Sequence, residues 1–147
     1  MLLTNENKWD YSHSKLLNLL MYDGKKNIAR NIVKKSFEKA LKKTGASSNK
    51  ELFLQALLNI SPDIQIKSKR VGSSVYQVPI PLEDKKRLNL GIRFLLSASR
   101  SRKEYSMIDR LSNELIDAYL GKGAAIKKKD DIHKMGEANK AFAHFNW

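Results

Sequence analysis

The chain has 147 residues, 41% of them hydrophobic, which suits one folded domain with an apolar core and argues against a disordered tail. Its 28 Lys and Arg against 15 Asp and Glu give a formal charge of +13, which opposes compaction of an isolated monomer and points to a polyanionic partner. Nucleic acid and anionic membrane are the two candidates; cysteine is absent, which excludes disulfides and thiolate metal sites, and no apolar run approaches the roughly 20 residues of a bilayer span, so no segment is expected to cross a membrane.

Residues 1–11 read as a loose lead-in with neither a secretory nor an Arg-rich transit signal. Leu16, Leu17, Leu19, Leu20 and Met21 predict a short helix over 12–22, capped by Ser12 or Ser14 and stopped by Asp23-Gly24. A second helix over 25–43 follows from the three- and four-residue spacing of Ile28, Ile32, Val33, Phe37, Ala40 and Leu41. A third, over 49–60, places Leu52, Phe53, Ala56, Leu57 and Ile60 on one face. The period then changes to two. Residues 63–69 alternate and 74–80 are rich in β-formers, so a β-hairpin at about 62–81 is inserted between helices, and Pro79 and Pro81 mark it as an exposed ribbon. Helices return over 83–101 (Leu88, Ile92, Leu95, Leu96) and 106–120 (Ile108, Leu111, Leu115, Ile116, Tyr119). Lys127-Lys128-Lys129 then reads as a basic connector, with Asp130 capping a last helix over 130–143. The expected fold is mainly α, a six-helix bundle with one protruding β-hairpin, in a single domain over 1–147.

The chemistry lies in the basic surface. Residues 67–103 hold Lys67, Lys69, Arg70, Lys85, Lys86, Arg87, Arg93, Arg100, Arg102 and Lys103 against Glu83 and Asp84. On a ribbon, such cations suit phosphates, Tyr76 suits stacking on an unpaired base, and Gly72 lets backbone approach RNA closely. The plainer reading is a charged edge that resists aggregation. Lys25 and Lys26 open the second helix, where backbone N–H groups favour phosphate although like charge opposes the dipole, and Arg30 follows on the same basic helix. Lys127, Lys128 and Lys129 carry the same two readings, RNA contact or a solvated lysine face. His13, His133 and His144 form no HxxxH or HExxH pair, and neither phosphate-binding glycine loops nor a GxSxG elbow occur, so no catalysis and no cofactor are expected. His133 and His144 are read as packing or RNA-facing groups. The terminal run Phe142 to Trp147 is amphipathic enough to sit on RNA or a neighbouring protein. A helical DNA-binding regulator is the alternative, since basic helices and a β-ribbon can serve duplex DNA.

Four stretches, Met21 to Lys26, Lys67 to Pro79, Lys122 to Lys129 and His133 to Trp147 (with Lys134 in the last), resemble small-subunit ribosomal protein seven of the bacterial and organellar type. The resemblance runs from about Leu16 to the end. It implies binding to the 3′ major domain of small-subunit ribosomal RNA and nucleation of head assembly. It also implies a hairpin beside the exit-site path of transfer and messenger RNA, and small-subunit protein eleven near the C-terminal region. Residues 1–15 lack the family's Arg-rich extension, and Asn146 replaces its usual basic residue. Both departures bear on the RNA contacts of the two ends. The short start and the Lys/Asn bias suggest a mitochondrial ribosome, with the cytoplasm of an A/T-rich bacterium as the alternative.

Overall fold

A computed structural model describes residues 4–145. Among them run α1 (Asn5–Leu20), α2 (Lys26–Thr44), α3 (Asn49–Ile60), β1 (Ile64–Val71), β2 (Ser74–Pro81), α4 (Asp84–Arg100), α5 (Met107–Tyr119), α6 (Ala124–Ala138) and a closing 3₁₀ helix, Lys140–Phe145. This is the expected mainly α bundle with a two-stranded hairpin.

The first helix starts earlier than its leucines predict. Thr4, not Ser12 or Ser14, caps it, its hydroxyl accepting the N–H of Asn7 at 3.3 Å. Residues 5–11 are therefore helix rather than lead-in. The reason is aromatic: Trp9 stands one turn before His13 and packs 6.0 Å from Phe53 and 6.3 Å from Phe37, with His13 at 5.0 Å. Ser12 lies buried inside the helix. The chain turns at Asp23 (φ 53°) and Gly24 (φ 72°), two left-handed residues closed by the Lys25 N–H to the Tyr22 carbonyl at 3.0 Å.

In α2 the inward stripe is Ala29, Val33, Ser36, Phe37 and Ala40. Ala29 takes the place expected of Ile28, which is left 57% exposed. Gly45, with φ 72°, ends the helix by the left-handed cap. In α3 Ser48 accepts the N–H of Glu51 while the Glu51 carboxylate accepts that of Ser47, satisfying donors the helix start leaves open. α5 lies against α2, α3 and α4, with Leu111 and Leu115 fully buried.

The strands pair in antiparallel register from Ile64↔Pro81 to Val71↔Ser74, leaving Gly72 (φ 64°) and Ser73 as a two-residue turn. The ribbon is anchored at its base more firmly than an exposed edge would be. Val78 is fully buried, and Ile64 and Pro79 close over Gly136 of α6, where a Cβ would stand 2.0 Å from Ile64 Cδ1. His133 Nε2 accepts the Asp63 N–H at 3.1 Å, a packing role.

The basic run at 127–129 is not a connector. α6 begins at Ala124, after Gly123 (φ 106°), and Asp130 lies within it. Lysine is a good helix former, and the buried Ala125 and Ile126 fasten the first turn, so the run continues as helix.

Candidate nucleic-acid interface

The outer face of α4 carries Arg93, Ser97 and Arg100 at helical spacing, all exposed. Lys128 of α6 reaches over to it, Nζ donating to Ser97 Oγ at 2.5 Å. From the other side the Arg100 guanidinium lies 5.1 Å over the ring of Tyr22 and donates to the Leu19 carbonyl at 3.2 Å. Together Leu19, Arg93, Leu96, Ser97, Arg100 and Ser101 line a shallow depression. Among the described residues no carboxylate lies within ion-pair distance of Arg93, Arg100 or Lys128. Two exposed arginines, the half-buried Lys128 and an exposed tyrosine thus share this face without an ion pair among the described residues, an arrangement that attracts phosphate and offers an aromatic face.

Two residues that join this face escape sequence reading. Tyr22, 64% exposed, carries its signal in being aromatic just before an Asp-Gly turn. Ser97 carries none beyond its place one turn from both arginines. Lys25 and Lys26 follow the same turn, and they and Arg30 are exposed at the start of α2. Lys127 and Lys134 are exposed on α6, and Lys129 is half-buried there.

The hairpin set stands on a separate element. Lys67 pairs with Val78 and Lys69 with Tyr76, while Arg70 pairs with Val75, so the two lysines share one face and Arg70 points from the other. Lys67 and Arg70 are exposed; Lys69 is half-buried. The Arg70 Nε donates to the Gly72 carbonyl at 3.3 Å across the turn. Tyr76 differs from expectation: its ring meets Phe142 at 4.9 Å, so the chain itself occupies one side of the ring meant for a base.

Arg102 is instead drawn into the fold. Its guanidinium contacts Glu104 (3.0 Å), Glu114 (2.9 Å) and Asp117 (3.0 Å). Glu114 is fully buried, and its other oxygen accepts the Ala125 N–H at 3.1 Å, joining α5 to the start of α6. Hydrogen bonding to Glu104, then to Glu114 and Asp117, holds the Arg102 pKa above its ordinary value, and Arg102 holds Glu104 down at about 2. A cation so committed has little charge left for RNA. Lys103 beside it is exposed. Arg87 is likewise drawn to Asp63 at 2.9 Å and the Pro62 carbonyl at 3.3 Å.

Among the described residues no group of His, Asp or Glu could hold a metal ion, and no helix is long and apolar enough to cross a membrane. The expectations for Asn146 and Trp147 lie outside the described residues, as does the side chain of His144.

The family described as Ribosomal protein S7p/S5e matches residues 3–140. Small ribosomal subunit protein uS7 of Francisella philomiragia subsp. philomiragia is 47% identical over 134 residues, which cover 91% of this chain and 85% of that protein. Its counterparts from Francisella tularensis subsp. holarctica and subsp. novicida are 47% and 46% identical over the same share. The chain belongs to the ribosomal protein S7p/S5e family, whose members are structural and not enzymatic.

Proposed function

We propose that the chain is a structural constituent of the small ribosomal subunit and acts as one RNA-binding unit on the 3′ major domain of its ribosomal RNA. It neutralises phosphates so that RNA helices of the head can pack, and so helps nucleate head assembly. Its hairpin lines the exit-site region, with transfer and messenger RNA nearby and small-subunit protein eleven as a protein neighbour. It turns nothing over. The observation that carries the reading is the face of Arg93, Arg100 and Lys128, which form no ion pair among the described residues and are joined there by Tyr22. Lys25, Lys26, Arg30, Lys127 and Lys134 extend it. Lys67, Lys69, Arg70 and Gly72 supply a second contact through the hairpin.

The relatives named above are bacterial, which supports a ribosome in the bacterial cytoplasm and lends nothing to a mitochondrial origin. The test is co-sedimentation of the protein with small-subunit particles, together with its affinity for 3′ major domain RNA and for duplex DNA at equal salt. Tighter binding to the ribosomal RNA and recovery in the particle are expected. Preferential retention on duplex DNA, without entry into the particle, overturns the reading.

A further inference from the structure

α3 is apolar on two faces. Leu52, Phe53, Ala56, Leu57 and Ile60 are buried in the core. Leu54 and Leu58 stand on the opposite stripe, where a surface helix ordinarily carries polar residues. Leu54 is half-buried and Leu58 is 61% exposed. A helix that is apolar all round is normally covered on every side, and here the bundle covers one side.

The outer stripe lines a groove of about 440 Å³ between α1, α3 and α4. From α3 it takes Lys50, Glu51, Leu54, Gln55 and Leu58, which recur at three- and four-residue steps, so the groove follows the helix for about 12 Å, or two turns. Lys8 of α1 and Asp84, Arg87 and Leu88 of α4 complete the lining. That length suits a second helix with apolar anchors one turn apart better than a small compact ligand. The charges say more. Glu51 accepts the Ser47 N–H at 2.8 Å and the Ser47 hydroxyl, while Asp84 lies 3.7 Å from Arg87, itself 2.9 Å from Asp63. Lys8 and Lys50, both half-buried, form no ion pair among the described residues. An occupant with carboxylates complements them. A second copy of this chain does not, since each copy carries +13.

We propose that this groove docks an acidic amphipathic helix of a neighbouring protein. Apolar side chains of that helix seat on Leu54, Leu58 and Leu88, and its flanking carboxylates meet Lys8 and Lys50. The groove uses the first turns of α4, whereas Arg93 and Arg100 belong to the later ones, so this protein contact is separate from the RNA contact proposed above.

The probe is a labelled helical peptide of about 14 residues, with leucines at three- and four-residue steps flanked by glutamates, titrated with the full chain by fluorescence anisotropy. A chain of +13 attracts any acidic peptide, so a counterpart with every leucine replaced by alanine reports charge alone. The leucine peptide is expected to bind roughly tenfold tighter than the alanine peptide, and Leu54→Gln/Leu58→Gln should abolish that advantage. Lys8→Gln/Lys50→Gln should weaken the leucine peptide and flatten its salt dependence. Leu58→Gln alone, at a position 61% exposed, repeats the test with the least risk to folding. Failure of the leucine peptide to bind, or equal binding of the two peptides, overturns the docking site. Loss of ribosomal RNA affinity in Leu54→Gln/Leu58→Gln would assign the groove to RNA. Self-association of the native chain in sedimentation, abolished by the same variant, would assign it to a second copy. Each of these results overturns the docking site and leaves the proposed function standing.

Discussion

Arg100 and Arg102 leave the end of α4 almost together, one toward the open side of α4 and α6, the other into the junction of α4, α5 and α6. Arg100 meets a tyrosine ring and a backbone carbonyl, and no carboxylate among the described residues. Arg102 meets Glu104, Glu114 and Asp117. In sequence they are two members of one basic run. In the fold one meets no carboxylate among the described residues and the other holds three helices together. Positive charge along a chain thus marks an interface only where the fold keeps its own acids away.

The junction should break hardest. Arg102→Met leaves Glu114 fully buried without its cation, and removing one partner of a buried pair costs roughly 3–5 kcal/mol. Urea unfolding checks this. A loss as small as that from Arg100→Met, expected within about 0.5 kcal/mol, would place the two arginines in the same class.

Gly123→Ala should come next. At φ 106° a side chain is strained, and its Cβ would stand 2.9 Å from Glu114 Oε1 and 3.0 Å from Asp117 Cβ. A destabilisation of about 1–3 kcal/mol is expected in the same unfolding assay, with RNA affinity unchanged while the protein is folded.

A smaller effect appears in acid. Glu104 has a folded pKa of about 2 against an ordinary 4.5, chiefly because Arg102 donates to it. The folded state therefore binds fewer protons than the unfolded state across that window, and stability falls as pH drops from about 5 towards 2. Melting curves over this range should show the slope in the native protein and a shallower one in Arg102→Met. Identical slopes would remove Glu104 from the junction.

Much of this was legible in the residues. α3 runs over 49–60 as its apolar spacing predicts, and the hairpin follows from the change of period after Pro62. α4 and α5 lie within a residue or two of their leucine and isoleucine stripes. The misses share a cause, which is tertiary contact. Trp9 extends α1 because Phe37 and Phe53 wait for it from other helices. Lys127 to Lys129 become helix because Glu114 and the buried Ala125 and Ile126 fix the start of α6. Nothing local to Glu114 reveals that it is wholly buried. Tyr76 faces Phe142, far along the chain, so its stacking partner was equally invisible. The basic residues are legible in the sequence, but their division into paired and unpaired is not, because it depends on where the acids fold.

That division is tested most directly by the salt dependence of binding to 3′ major domain ribosomal RNA, native protein against Arg93→Gln/Arg100→Gln/Lys128→Gln. Native affinity should fall by roughly 10³ from 50 to 200 mM salt if about six phosphates are contacted. The triple variant should fold normally, bind more weakly, and lose roughly 0.9 from its log–log slope for each phosphate contact removed. Two parallel lines, or a native titration that is nearly flat, would contradict the assignment of this face to RNA.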